Sequence, residues 1–307
     1  MKNEIRISAI ICTHNRSDIL HRTIDSLLNQ DLDQSNYEVL IIDNASTDST
    51  KELVLTRYSS HKHIRYVYEE AIGLSKARNT GWRSAFGEYV AFIDDDAIAC
   101  ANWLKDIVNS FEQFPEAGIV SGKVDPIWST NPPEWLTKKL IEALSVIDWS
   151  DSPLFLEEWQ WVPGVNVSYR KTLLEHFNGF DPNLGRVGKR LISNEENKLN
   201  ASIRASGFKL YYSPMIYVQH FIPIERISKK WFYKRFFWQG FSNAVMNKAL
   251  ISDSDLTLKS ILNQLIDLIN INTITLLFSR NVDEKTTRYM NLGYIAGLAK
   301  LKLNSKQ

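Results

Sequence analysis

The chain has 307 residues, 44% of them hydrophobic and 23% charged. That length suits one large catalytic domain or one and a half, and the composition excludes a disordered, collagen-like or coiled-coil chain. A formal net charge of +1 exerts no general pull on nucleic acid, so none is expected as a partner.

The first 125 residues repeat one grammar: a short β-branched run, a turn cluster, then a helical pattern. Ile7 to Cys12 predicts a buried strand, Thr13 to Arg16 a turn, and Ile19 to Leu28 a helix with apolar residues at Leu20, Ile24, Leu27 and Leu28. The order returns with Val39 to Ile42, the turn from Asp43, and a helix over about Thr47 to Tyr58. It returns with Ile64 to Tyr68 before a helix over Ser75 to Phe86, and with Tyr89 to Ile93 before one over Ala101 to Phe114. This alternation predicts an α/β fold: a mostly parallel, Rossmann-like sheet with helices on both faces. Ligands of such sheets sit at the carboxyl ends of the strands, which directs attention to the loops after Cys12, Ile42, Tyr68 and Ile93.

Residues 123–161 break the rhythm. They are rich in Trp and Pro without a sustained period, the pattern of a binding loop or lid. Helices are then predicted near Arg170 to Phe177 and Asn194 to Ala205, strands near Lys209 to Tyr212 and Ile216 to His220, and helix from Ser228 to the end. Trp231 to Phe241 carries seven aromatics on nearly all sides of a helical wheel, so that helix must pack on two surfaces. Its second surface is either the C-terminal helices, the preferred reading, or a peripheral membrane contact. The uncharged stretch between Asp267 and Arg280 is interrupted by Asn270, Asn272 and Thr273 and falls short of the ~18 apolar residues a membrane span needs. Cys12 and Cys100 lack metal or redox spacing and read as small buried hydrophobes in a reducing compartment. With no apolar signal region at the start, the expected location is the cytoplasm, with the inner membrane face as the peripheral alternative.

Chemistry concentrates at the strand ends. Asp94, Asp95 and Asp96 follow the fourth strand; three adjoining carboxylates repel unless a cation sits among them, and hard oxygen ligands suit Mg²⁺ or Mn²⁺. The competing reading, a solvated acidic turn, is disfavoured by the location. Asp43 is free to contact a nucleotide, because Ser46 or Thr47 accounts for capping the next helix. Arg78, aimed at the sheet edge, can pair with a diphosphate or with Asp43. Ser193-Asn194-Glu195-Glu196 fits a capping box, which explains Glu196 structurally, while Glu195 needs another reason; either carboxylate can serve as a general base. His220, alone, reads as a packed imidazole. Trp149, Trp159 and Trp161 are candidates for stacking on an acceptor sugar, against the alternative that they fill the core.

In their order along residues 5–225, these motifs resemble glycosyltransferase family 2, the inverting enzymes of GT-A fold. The matching runs are Ile10 to Arg16, Ile41 to Asp48, Gly73 to Asp96, Gly179-Phe180-Asp181, Asn194-Glu195-Glu196, Arg204 to Gly207, and His220. The resemblance implies a GT-A catalytic domain over 1–225 (1–125 for the nucleotide sugar, 126–225 for the acceptor) and a helical extension over 226–307. It assigns Asp43, Thr13, Asn15, Arg16 and Arg78 to the nucleotide-sugar pocket. In the acidic triplet it sets Asp94 towards the ribose, Asp95 between, and Asp96 as ligand of Mg²⁺ or Mn²⁺, with His220 completing the metal site. Glu196 matches the catalytic base, although the family commonly has Glu-Asp here, so the Glu-Glu pair leaves the choice between Glu195 and Glu196 open. The implied activity is transfer from a nucleotide-sugar donor to a saccharide or lipid-linked acceptor, in polysaccharide or glycolipid assembly. The alternative is a catalytically degenerate nucleotide-sugar-binding protein. A nucleotidyltransferase or a dinucleotide dehydrogenase would need a glycine-rich first turn, and Thr13-His14-Asn15-Arg16 has no glycine.

Overall fold

The computed structural model describes residues 5–248, 263, 266 and 281–304. The chain forms two compact units. The first comprises residues 1–127, 145–181 and 196–221, and the second residues 128–144, 182–195 and 222–307. Segments 128–144 and 182–195, which the sequence assigns to the acceptor half, thus group with the C-terminal helices.

Strands β1 (Ile7–Thr13), β2 (Tyr37–Asp43), β3 (Ile64–Tyr68) and β4 (Tyr89–Asp94) pair in parallel, in the order β3-β2-β1-β4. Helices α1 (Leu20–Leu28), α2 (Thr50–Arg57) and α3 (Leu74–Ser84) connect them as the alternation predicts. The sheet then turns antiparallel through β8 (Asn166–Arg170) and β6 (Ala117–Trp128), and continues to β9 (Lys209–Ile222) and β5 (Ala97–Ala99), with β7 (Leu154–Phe155) also paired to β9. The sheet is therefore mixed, with β1 to β4 paired in parallel and β8 antiparallel to both β4 and β6.

Period-two alternation feeds two cores. Ile7, Ala9 and Ile11 meet Leu20, Ile24 and Leu27 of α1, together with Trp103, Ile107 and Phe111 of α4 (Trp103–Gln113). On the opposite face Ile10, Leu40 and Ile42 join Ala77 and Trp82 of α3, Leu173 and Leu174 of α6 (Lys171–His176), and Leu199 and Ile203 of α7 (Glu195–Ala205). Helices thus cover both faces of the sheet.

Three departures from the sequence reading have local causes. The irregular region begins later than predicted, because 117–128 is one long strand despite Gly118, Gly122 and Pro126. Strand β8 escapes the reading because Asn166 and Ser168 are polar, yet both are fully buried. The Asn166 amide is satisfied there: it donates to Lys123 O and Ile216 O and accepts from Trp103 Nε1. The two late strands are one, β9, running through Pro214. On one edge β9 pairs with β7 at Tyr211 and Tyr212 and with β5 at Val218 to His220, so Pro214 lies between the two ladders.

In the second unit, α5 (Lys138–Glu142), α8 (Lys229–Met246) and α9 (Val282–Asn304) pack together. The aromatic helix α8 does meet two surfaces. Tyr233 stacks on Tyr289 of α9 at 4.9 Å, and a Cβ at Gly240 or Gly293 would strike the main chain of the facing helix, which fixes a close crossing. On another side Phe232 meets Trp135 edge-on at 5.9 Å and Lys139 lies over the Phe236 ring. Part of the Trp/Pro-rich insert thus shares the enclosing role expected of the C-terminal helices. The predicted helix over most of 249–280 lies outside the described residues. Among the described residues, no helix is long and apolar enough to cross a membrane.

Candidate active site

Parallel register brings the first candidates together. Cys12 stands opposite Asp94 and Thr13 opposite Asp43, so three strand ends open on one edge of the first unit. The turn after β4 is short: Asp95 and Asp96 lead directly into β5 rather than into a helix. Pairing of Ala97 with His220 then sets the imidazole beside the turn, with His220 Nε2 3.2 Å from Asp96 Oδ1.

The acidic triplet is held from several sides. Thr13 Oγ1 donates to Asp95 Oδ2 at 2.7 Å; Arg16 Nη2 donates to Asp96 Oδ2 at 3.3 Å, and Arg16 Nε lies 3.9 Å from Asp95 Oδ1. Burial, followed by the charge of Asp96, pushes the Asp95 carboxyl up to about 7, against the opposing pull of Arg16 and Thr13. Asp94, Asp96 and His220 each offer a ligand atom, all within 4.8 Å of one another. Two carboxylates and an imidazole that close fit a divalent cation.

Arg78 joins this group to the glutamates. It projects from α3, buried, with its guanidinium 5.9 Å from the Phe92 ring and 5.5 Å from the Phe180 ring. Its Nη2 lies 3.8 Å from Asp94 Oδ1 and its Nη1 4.0 Å from Glu196 Oε2. Glu196 Oε2 is buried and accepts no hydrogen bond among the described residues, leaving a lone pair uncommitted beside a cation. Gly164 makes the arrangement possible, because a Cβ there would fall on the guanidinium. The sequence analysis gives Gly164 no role; a glycine shortly before a buried strand was the available signal.

Other expectations are corrected. The capping box does not form as predicted: the Ser193 hydroxyl donates to Gln239 Oε1 and accepts from Arg235, and α7 begins at Glu195 after Asn194 at φ 75°. Glu196 is therefore not explained by a cap. Ser46 and Thr47 do not cap α2, which begins at Thr50, where Asp48 accepts from the Thr50 N–H. Asp43 is 1% exposed, and its oxygens accept from Ser46 N at 2.9 Å and Tyr66 OH at 2.6 Å, so it ties its own loop to β3. Arg78 accordingly faces Asp94 and Glu196 rather than Asp43. Asn15, at φ 54°, ties the first turn to the second: its Oδ1 accepts from Thr47 N and Asp48 N.

The tryptophans form an array of their own. Trp149 and Trp159 meet edge-to-face at 5.6 Å, and Trp149 Nε1 donates to Trp161 O. Trp149 packs on the core, whereas Trp159 is 72% exposed. Cys12 and Cys100 are both free, and burial pushes the Cys12 thiol up to about 12, which keeps it an inert thiol at neutral pH.

Comparison with solved structures identifies the architecture. The chain matches a mannosyltransferase from Pyrobaculum calidifontis, solved with GDP-Man and Mn²⁺, over 98% of its own length and 88% of that chain, with a TM-score of 0.58 at 20% identity. It matches residues 1–349 of S. aureus TarS, solved with UDP, over 99% of its length and 92% of that chain, with a TM-score of 0.57 at 17% identity. The fold is GT-A, and the protein is a glycosyltransferase. It belongs to glycosyl transferase family 2, whose family model matches residues 8–177. Among curated relatives, the glucosyl-dolichyl phosphate glucuronosyltransferase of Haloferax volcanii is 26% identical over 254 residues, 82% of this chain and 80% of the relative. A validoxylamine A glucosyltransferase of Streptomyces hygroscopicus subsp. jinggangensis is 25% identical over 231 residues, 67% of this chain and 53% of the relative.

Proposed function

We propose that this glycosyltransferase moves a sugar from a nucleoside diphosphate donor to a hydroxyl of a saccharide or lipid-linked acceptor, inverting the anomeric centre, with Mg²⁺ or Mn²⁺ held by Asp94, Asp96 and His220. The observation that carries the reading is the buried Arg78 guanidinium, 3.8 Å from Asp94 and 4.0 Å from Glu196. It joins the cation-binding group to a carboxylate with an uncommitted oxygen. A bound divalent ion supplies charge neutralisation for the departing diphosphate. Arg16 adds a side-chain cation beside the same carboxylates, and Thr13 and Asp95 complete the donor side. Asn15 and Asp43 build the loops that frame the nucleotide.

Glu196 is assigned as the base that takes the proton from the acceptor hydroxyl while its oxygen attacks the anomeric carbon. A single displacement of this kind inverts the centre and needs no carboxylate nucleophile. Glu195, its neighbour in the sequence, is the alternative base; Glu196 is preferred for the uncommitted oxygen it holds 4.0 Å from Arg78. Trp149, Trp159 and Trp161 are assigned to the acceptor, whose apolar sugar face suits an exposed indole. Assembly of a polysaccharide or glycolipid is the proposed setting, in keeping with a relative named for transfer to glucosyl-dolichyl phosphate. Residues 1–225 are proposed as the catalytic part and 226–307 as a C-terminal extension.

A panel of UDP-, GDP- and dTDP-sugars, screened by thermal shift with Mn²⁺, identifies the donor. With that donor, Asp96→Ala is expected to abolish Mn²⁺-dependent binding. Glu196→Gln is expected to retain binding and lose roughly 10²–10⁴-fold in transfer rate. Full turnover by either variant rejects the role given to that residue.

A further inference from the structure

Outside the aspartate group, one side chain makes an unusual set of contacts. The guanidinium of Arg204, in the last turn of α7, donates to four main-chain carbonyls of one loop. Nη2 reaches Leu156 O at 2.7 Å and Glu157 O at 2.9 Å; Nη1 reaches Glu158 O at 3.1 Å and Gln160 O at 3.2 Å. Carbonyl dipoles that converge on one point repel one another unless a cation sits at the focus. Only arginine presents enough donors in a planar fork to serve four acceptors; a lysine ammonium has three donors on one atom.

The loop it gathers carries Trp159. It leaves β7, is pinned where Leu156 N donates to Leu210 O, and closes on itself through Gln160 N to Glu157 O and Gln160 Oε1 from Glu157 N. Trp159 stands outward from this turn against Trp149, whose indole N–H is fixed on Trp161 O. The other end of the connection is Glu196, eight residues earlier on the same helix, or about 12 Å along a rigid rod at 1.5 Å per residue. We propose that Arg204 is a positioning residue that holds the Trp159 loop in a fixed place relative to Glu196, so that an acceptor sugar stacked on the indole presents its hydroxyl to the base. This rests on the assignments of Glu196 and Trp159 made above. It adds that the acceptor site is set by the base-bearing helix itself.

Arg204→Lys in the full chain is the test, since it keeps the charge and removes the fork. Cleavage by a glutamate-specific protease at the exposed Glu157 and Glu158 reads the loop. Transfer is measured with UDP-glucose, UDP-glucuronate and GDP-mannose as donor probes, Mn²⁺, and alkyl glycosides as acceptor probes. The expected result is cleavage at least tenfold faster than wild type, acceptor KM raised about tenfold, and donor KM and kcat within twofold. Arg204→Gln, which also lacks the fork, should behave as Lys does. Unchanged cleavage overturns the proposal, as does faster cleavage with unchanged acceptor KM, which would make Arg204 merely structural. Failure of the underlying reading looks different. Trp159→Ala with unchanged acceptor KM removes the acceptor assignment, and Glu196→Gln at full rate removes the base, each in a chain whose Arg204 is intact.

Discussion

Gly164→Ala probes the site without touching a candidate chemical group. The new Cβ would stand 2.9 Å from Arg78 Cζ and 3.0 Å from Nη1, and closer still to Nη2. Ordinary contact needs about 3.5–4.0 Å, so the guanidinium must retreat by roughly 1 Å. At its present 4.0 Å from Glu196 the pair interacts by ~4 kcal/mol at an effective dielectric of about 20, and by ~3.3 kcal/mol once the gap is about 5 Å. The difference of about 0.8 kcal/mol corresponds to roughly fourfold in rate if Arg78 must stay in place during transfer. Asp94 is 37% exposed, so water screens its side of the pair and it adds little to this figure. Overpacking beside Phe92 and Phe180 adds ~1–3 kcal/mol of lost stability. Urea denaturation and initial transfer rates measure the two effects. The decisive comparison is the same substitution in an Arg78→Met background, where the flexible side chain can yield and most of the stability loss should vanish. An equal loss in both backgrounds would refute the idea that Gly164 exists to admit Arg78.

Two further predictions concern the loops that follow β1 and β2. Asp43→Ala strands the half-buried Ser46 N–H and Tyr66 hydroxyl, and should lower stability by about 1–3 kcal/mol in urea denaturation; a loss confined to donor affinity, at wild-type stability, would make Asp43 a ligand contact alone. Partial burial pushes the Asp48 carboxyl up, but hydrogen bonds from Thr50 and Ser17 outweigh it and hold it down at about 2. Its folded pKa lies below the unfolded value, so its contribution is complete above about pH 4 and is lost as pH falls towards 2. Amide exchange at Ser17 and Thr50 should therefore accelerate across that window, and Asp48→Asn should flatten the dependence; equal acceleration in the variant would exclude Asp48 as the cause.

Local pattern was enough for the parallel half of the sheet. Buried runs such as Ile7 to Thr13 and Tyr37 to Asp43 are short, β-branched and bounded by turns, so period and punctuation agree. The acidic triplet was legible for the same reason, since a strand end in such a sheet is a place with a known use. The second half resisted because its signals are opposed. Strand β6 contains two glycines and a proline, and β8 buries Asn166 and Ser168, polar residues whose partners lie far away in sequence.

The sequence by itself determined which residues carry charge at which strand ends, because hydrophobic spacing and turn chemistry are local properties. Tertiary structure alone decided that Arg78 faces Glu196, that His220 meets Asp96 through the pairing of β5 with β9, and that Asp43 divides its oxygens between its own loop and Tyr66 of β3. These facts depend on the register of distant strands and on a missing Cβ at Gly164, which no window of neighbouring residues encodes.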